Sequence, residues 1–529
     1  MLGKQVDRLV GRLLAAFLLQ VAGSTLVCAE EFHTPSITAV RVEWRAALDQ
    51  LRTEIGGQPE IASNFAFTTQ RRVPASDPRA MPALVQLNAA TSQVFNGIGR
   101  SPIPVLLPFD AAVWLGARET GVPGDAARFQ ADFRVDLFHA GPSGYDATFL
   151  LPPGAGDGMA GRTFAKPVEV QITGSLLIYD LADPASGKGE PVKSLAAQFP
   201  DVRRFIREGY VRYAFTRFGV PYVVSIQCLD STPRARRLAC REAYPVAERF
   251  LKALRVAGGQ PSRSRNDIAS VAAERPVAQS ADFSYRPSGD IIARTGSRRQ
   301  SGRTDSTAYS QIRFPLARTP VAVRSQSFAR RDKTGLTAGV YPWRDNFCEA
   351  RSFNVGQCAS GFGHQGQDIR PRPCPAEEGP DICDDKRQAI VAVRDGVVIR
   401  LAKQQAATLQ INTRTEHIRF RYMHMNPSAM DAEGLLNGRR VNEGENIGVV
   451  SNYLDRPNGT SRHLHFDIQV FTRDGWLWVN PYSTLVAAYE RLIRGRGREI
   501  GTEPVTAAAV AHAMPEVTAH PDLREGGEN

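Results

Sequence analysis

The sequence holds only seven cysteines in 529 residues, contains no internal repeat, and has a single long apolar run. Without a repeat, a solenoid or propeller is excluded. That run, "LLAAFLLQVAGSTLV", lies near the start, and no other stretch is long and apolar enough to cross a bilayer as a helix. None of the cysteine spacings is of the short C-x2-4-C kind, which argues against a structural metal knot on them. No H-E-x-x-H occurs either, which excludes a helix-borne metallopeptidase site of that type.

What is present points first to export. Lys4, Arg8 and Arg12 precede or flank the apolar run, and Val27 and Ala29 are the small residues at −3 and −1 of a cut after Ala29. Residues 1–29 read as a secretory signal. The rival reading is an uncleaved signal anchor in contact with the membrane, although Gln20, Gly23 and Ser24 weaken the run as a span. The remaining cysteines, Cys228, Cys240, Cys348, Cys358, Cys374 and Cys383, fall in neighbouring pairs. That pattern suits local disulfides, paired sequentially, in an oxidising compartment. A structural zinc on the last four is the rival.

The formal net charge is +11. Between Pro261 and Asp345 there are fifteen Arg or Lys against seven Asp or Glu. On an exported protein this suggests an anionic envelope partner, cell-wall polymer or anionic lipid; the bland reading is a solvated linker. The charge sits in a loop-like segment behind a signal sequence, so nucleic acid is not expected as a partner.

Residues 30–257 read as one α+β domain of unknown fold. Trp44, Leu48, Leu51 and Ile55 lie at helical spacing before Gly56-Gly57, strand-like runs follow from about 103 to 225, and "PVAERFLKALRVAGG" reads as a closing helix. His33 and His139 stand alone there and read as structural, so the domain's role is left to docking an envelope partner, inhibition or targeting. Residues 258–308, rich in Ser, Arg, Gly and Pro, read as a basic flexible linker. Residues 309–495 predict a mainly antiparallel β domain. "QAIVAVRDGVVIRLA" predicts a hairpin about Asp395-Gly396, "ATLQINTRTEHIRFRYMHM" a second pair about 413–416, and "STLVAAYERLIRG" a terminal helix. Residues 496–529 read as a disordered tail.

The chemistry is concentrated in three short stretches. In "SRHLHFDIQVF", a strand places His463 and His465 on one face, with Leu464 and Phe466 behind them. In "GFGHQGQDIR", an extended backbone puts His364 and Asp368 on one face, and Gly366 between them is expected to leave room for a metal. Two imidazoles and a carboxylate, with a fourth position left to water, are the ligand set of a catalytic zinc site. In "RYMHMNP", His424 ends a strand at a turn, where a sheet presents a polar group to a cleft. Asp467 shares the face of His465, as its hydrogen-bond partner or as an exposed carboxylate.

H-x-G-x-D, Tyr-x-His, "VNEGENIGVVSN" and H-L-H-F, in that order over about 360–485, resemble the lysostaphin-type, LytM-like zinc metallopeptidases. The resemblance implies a compact, mainly antiparallel β fold of the duplicated hybrid motif type. It implies one zinc held by His364, Asp368 and His465, with His463 and His424 as the paired catalytic histidines. It also implies hydrolysis of peptide stems or cross-links in peptidoglycan, expected here in a Gram-negative periplasm or envelope. The alternative is a non-catalytic module that binds peptidoglycan or activates another wall hydrolase. Two departures stand out: the insert "RPRPCPAEEGPDICDDKR", where Cys374 and Cys383 would pin a rim loop, and Arg462, where a small residue or proline is common.

Overall fold

A computed structural model describes residues 34–56, 80–111, 129–152, 167–181, 186–228, 238–261, 307–317, 345–349, 351–358, 360–371 and 389–492, with short pieces between them. The expected signal and tail, most of the expected linker, and Cys374 and Cys383 lie outside the described residues. Among the described residues no helix is long and apolar enough to cross a membrane.

The N-terminal region carries helices α1 (Trp44–Gly56) and α2 (Ala80–Thr91) ahead of its sheet. The sheet is built from β1 (Arg134–Gly141), β2 (Gly144–Leu151), β3 (Val168–Ser175), β4 (Glu190–Pro191), β5 (Arg203–Arg207), β6 (Tyr210–Arg217) and β7 (Val220–Gln227). It is antiparallel, in the order β1-β2-β3-β7-β6-β5-β4. The strands β6 and β7, rich in β-branched and aromatic residues, close at Phe218-Gly219, where both φ angles are positive as a tight hairpin turn requires. Helix α3 (Ala243–Lys252) follows. It stops earlier than the sequence pattern suggests, because Arg255–Gly258 leaves it to pair as a strand with Val105–Leu107.

Alternation decides what each face of this sheet does. Tyr145, Ala147, Val170, Ile172, Val211, Tyr213, Tyr222 and Val224 face the helices and form one core with Leu51, Leu87 and Phe250. Asp146, Gln171, Thr173, Arg212 and Val223, one residue out of step, lie on the opposite face.

The C-terminal domain is mainly antiparallel β. Its strands are β8 (Val321–Val323), β9 (Gln367–Pro371), β10 (Ala389–Val391), β11 (Gly396–Ile399), β12 (Ala407–Asn412) and β13 (His417–Met423). After the six-residue helix α4 (Pro427–Ala432) come β14 (Arg440–Val441), β15 (Asn446–Val449), β16 (Leu464–Thr472) and β17 (Gly475–Val479). The main sheet runs β8-β9-β16-β13-β12-β11-β14, with β17 also paired to β16. The terminal helix α5 (Tyr482–Leu492) seals the core made by Leu409, Ile418, Phe420, Leu464, Phe466 and Val486.

The expected pair about 413–416 forms, with Asn412 opposite His417. The expected hairpin about Asp395-Gly396 does not: β10 pairs with β15, and β11 pairs with β12 and β14. The Asp395 side chain instead accepts from the Glu443 main chain, so the local turn signal joins strands of two different sheets. Two of the sequential disulfides are present, Cys228–Cys240 and Cys348–Cys358, and the second removes those cysteines from any zinc knot.

The two sheets meet through their polar faces. His417 and Arg419 of β13 bond Asp146 of β2, Asn412 bonds Ser143 and Gly144, and Trp476 donates to Thr173. Beside these, Phe471 and Trp476 pack with Phe205, Ala214 and Val223 of the N-terminal sheet. A cleft of about 750 Å³ opens between the regions, lined by Arg100, His139, Asn412, Arg414 and Arg440 among others. None of the five candidate site residues lines it.

Candidate metal centre

The sheet register builds the centre. Asp368 of β9 sits directly opposite His465 of β16, and His465 is in turn opposite Met423 of β13. Partners across a ladder share a face, so Asp368 and His465 point the same way. His364 lies one turn of chain before β9, held by three main-chain contacts. Its N–H donates to Glu349 O, its carbonyl accepts from Cys348 N, and its Nδ1 lies 2.9 Å from Asn346 O. With Nδ1–H donating to that carbonyl, Nε2 is left to face the centre.

Three ligand atoms converge. His364 Nε2 is 3.0 Å from His465 Nδ1 and 3.2 Å from Asp368 Oδ1, and His465 Nδ1 is 3.2 Å from the same oxygen. A tetrahedron with arms of about 2.0–2.1 Å has edges of about 3.3–3.4 Å. The triangle therefore fits a zinc ion with little adjustment. All three side chains are about 4–5% exposed. Burial alone would raise the Asp368 carboxyl, but the adjacent His364 and His463 rings outweigh it and hold it well below its usual range. Burial alone would lower His465, but Asp368 and Asp467 on its two sides raise it.

Asp467 is not an exposed carboxylate. It is fully buried, its Oδ2 lies 3.4 Å from His465 Nε2, and Arg421 and Trp478 donate to it at 2.7 and 3.1 Å. A carboxylate behind the imidazole fixes which nitrogen faces the metal.

The other two histidines stand beside the triangle. His463 Nε2 is 3.4 Å from Asp368 Oδ1, and its Nδ1 donates to Ser461 O at 2.5 Å. Strict alternation after Met423 would send His424 to the core face. Its φ of +68° breaks the alternation, and its ring centroid lies 4.6 Å from that of His463. Residues other than glycine adopt this backbone infrequently, and here it turns the ring toward His463 instead of the core. His424 Nδ1 lies 3.0 Å from Tyr453 O, and Tyr453 N donates back to His424 O. Burial, followed by the neighbouring His463 and His465, pushes His424 down to about 3, so the ring is neutral at ordinary pH.

Gly366 plays a different part from the one expected. A Cβ at Gly366 would overlap the Phe466 carbonyl oxygen and crowd the His465 ring and Asp467. The glycine lets β9 approach β16; it does not clear a path for the metal.

Residues 376–481 match the model of peptidase family M23. The C-terminal domain is a LytM-like M23 peptidase domain. The matched stretch holds His424, His463 and His465 but begins after His364 and Asp368, so those two are placed by the geometry above. Similar solved structures include a candidate glycyl-glycine endopeptidase LytM of Ruminococcus gnavus, at 18% identity and TM-score 0.20, covering 34% of this chain and 60% of that one. The lysostaphin catalytic domain of Staphylococcus simulans matches at 18% identity and TM-score 0.17, covering 27% of this chain and 93% of that one. CbpA of L. salivarius matches at 22% identity and TM-score 0.17, covering 28% and 91%. No curated protein matches the chain.

Sequence reasoning about the M23 domain placed all five site residues in one neighbourhood, where the structure brings them together. It missed the main-chain carbonyls of Asn346, Tyr453 and Ser461, which no side-chain pattern can announce. His417, at the far end of β13, is fully buried against Asp146 and takes no part in the metal centre.

Proposed function

We propose that this chain is an exported zinc metalloendopeptidase that hydrolyses peptide cross-links of peptidoglycan, acting in the periplasm or envelope of a Gram-negative bacterium. The observation that carries the reading is the triangle of His364 Nε2, Asp368 Oδ1 and His465 Nδ1 beside two histidines whose Nδ1 atoms both rest on carbonyls. When bound, zinc supplies a Lewis acid that polarises the scissile carbonyl and makes water nucleophilic near neutral pH. His364, Asp368 and His465 would hold the ion, and Asp467 would keep the His465 ring in orientation.

His463 and His424 supply the proton handling. Each gives its Nδ1–H to a main-chain oxygen and so keeps Nε2 as an acceptor. In that tautomer a ring takes the proton of the attacking water. The resulting Nε2–H then donates to the developing oxyanion or hands the proton to the leaving amine. The export signal and the disulfides support an oxidising compartment, where cross-linked peptide stems are the substrate at hand.

The test is incubation of the full chain with purified cross-linked muropeptides, read by mass spectrometry. Hydrolysis is expected in the wild type. His463→Ala and His424→Ala are each expected to slow turnover by about 10²–10⁴-fold while keeping the metal. A zinc-loaded wild type that binds the muropeptides and cuts none of them would replace this reading with that of a non-catalytic wall-binding module.

A further inference from the structure

We propose that Glu208, in the N-terminal region, is a positioning residue for the metal centre: it holds the disulfide loop that presents His364. The inference rests on the metal reading of that centre.

Glu208 and Gly209 form the two-residue turn between β5 and β6, with φ of 55° and 73°. Such turns favour Asn, Asp or Gly at the first place, so a glutamate there has to be explained by what its side chain reaches. The side chain is fully buried, and burial raises its carboxyl. Oε2 accepts from Arg212 Nη2 at 3.1 Å. Oε1 accepts from the main-chain N–H of Gly356 at 3.3 Å, across the two regions. Arg207, bonded twice to Asp183 at 2.7 Å, lies so close to Gly356 that a Cβ there would overlap its guanidinium.

Gly356 lies within the loop closed by Cys348–Cys358. Main-chain hydrogen bonds tie the segment on either side of Gly356 to the segment that carries the metal ligand. Val355 N donates to Gly361 O, Gly363 N to Phe353 O, and Cys348 N to His364 O, while His364 N donates to Glu349 O. The turn at Glu208 thus bonds the loop at Gly356, within the segment whose main chain also holds His364. The interface behind it is not that of a hinged cover. Its buried aromatic cluster and the Asp146 network would be costly to expose to water.

The test uses the full chain loaded with cobalt(II) in place of zinc, with the visible absorption spectrum and the rate of metal loss to excess chelator as readouts. The variants are Glu208→Ala combined with Arg212→Ala, which leaves no lone buried charge, and Gly356→Ala, which pushes the loop off Arg207. Both are expected to alter the spectrum and to lose metal about 10-fold faster. Glu208→Gln, which keeps an oxygen for the Gly356 N–H, is expected to stay near wild type in spectrum. Folded variants with the wild-type spectrum and loss rate would overturn the proposal. A wild-type chain that takes up no cobalt would overturn the metal reading itself, and this inference with it.

Discussion

Asp146 of the N-terminal sheet and His417 of the peptidase sheet are joined at 2.8 Å, with both side chains out of solvent. They are 271 residues apart in sequence. Arg419 bonds the second oxygen of the same carboxylate at 3.1 Å, Thr173 donates to it at 2.8 Å, and the Arg419 guanidinium lies over the Trp476 ring. The face of β13 and β16 that carries the metal centre at one end therefore carries a buried ionic contact at the other. The peptidase sheet continues into the N-terminal region as one packed unit.

Removing one member of such a contact leaves the others buried and unpaired. Asp146→Ala is expected to destabilise the chain by about 3–5 kcal/mol. Urea unfolding of wild type and variant measures it. A loss under about 1 kcal/mol would mean that the contact is not buried in solution.

The same carboxylate sets an acid limit. Burial works to raise Asp146, but His417 and Arg419 outweigh it and bring it from its ordinary 3.8 down to about 2. As pH falls through that window the unfolded chain binds more protons than the folded one, so stability drops. The contribution is complete above about pH 5 and amounts to about 2 kcal/mol. Unfolding midpoints recorded from pH 6 to pH 2 should show this drop in the wild type and lack it in Asp146→Asn. Parallel curves for the two proteins would contradict the assignment.

Gly366→Ala tests how closely β9 must approach β16. The added methyl meets the Phe466 carbonyl, so β9 must shift and carry Asp368 away from His465. Zinc affinity, measured by competition with a chromogenic chelator, is expected to fall by about 10-fold or more. Unchanged affinity would show that the strands have slack at this point.

The parity of a strand was enough to pair His463 with His465 and to place Leu464 and Phe466 in the core, because side-chain direction there is set by covalent geometry alone. The turn between β12 and β13 was legible for a similar reason, with polar residues between two alternating runs. The Asp395-Gly396 signal misled because a turn motif fixes a local bend and says nothing about which distant strand each arm will join. His424 reached the site only through a left-handed backbone, which the sequence does not mark at a histidine. Asp146 was not singled out in the sequence, because its partners lie in another region and no local pattern names them. Gly366 was singled out correctly and explained wrongly, since the neighbouring strand that crowds it is a hundred residues away in sequence.

The most direct measurement is the zinc content of the purified full chain after loading and desalting, compared with Asp368→Ala and His465→Ala. Convergence of His364, Asp368 and His465 on one ion predicts about one zinc per wild-type chain and little in either variant, with both variants still folded. Wild type emerging without zinc, or variants that keep it in full, would contradict the assignment.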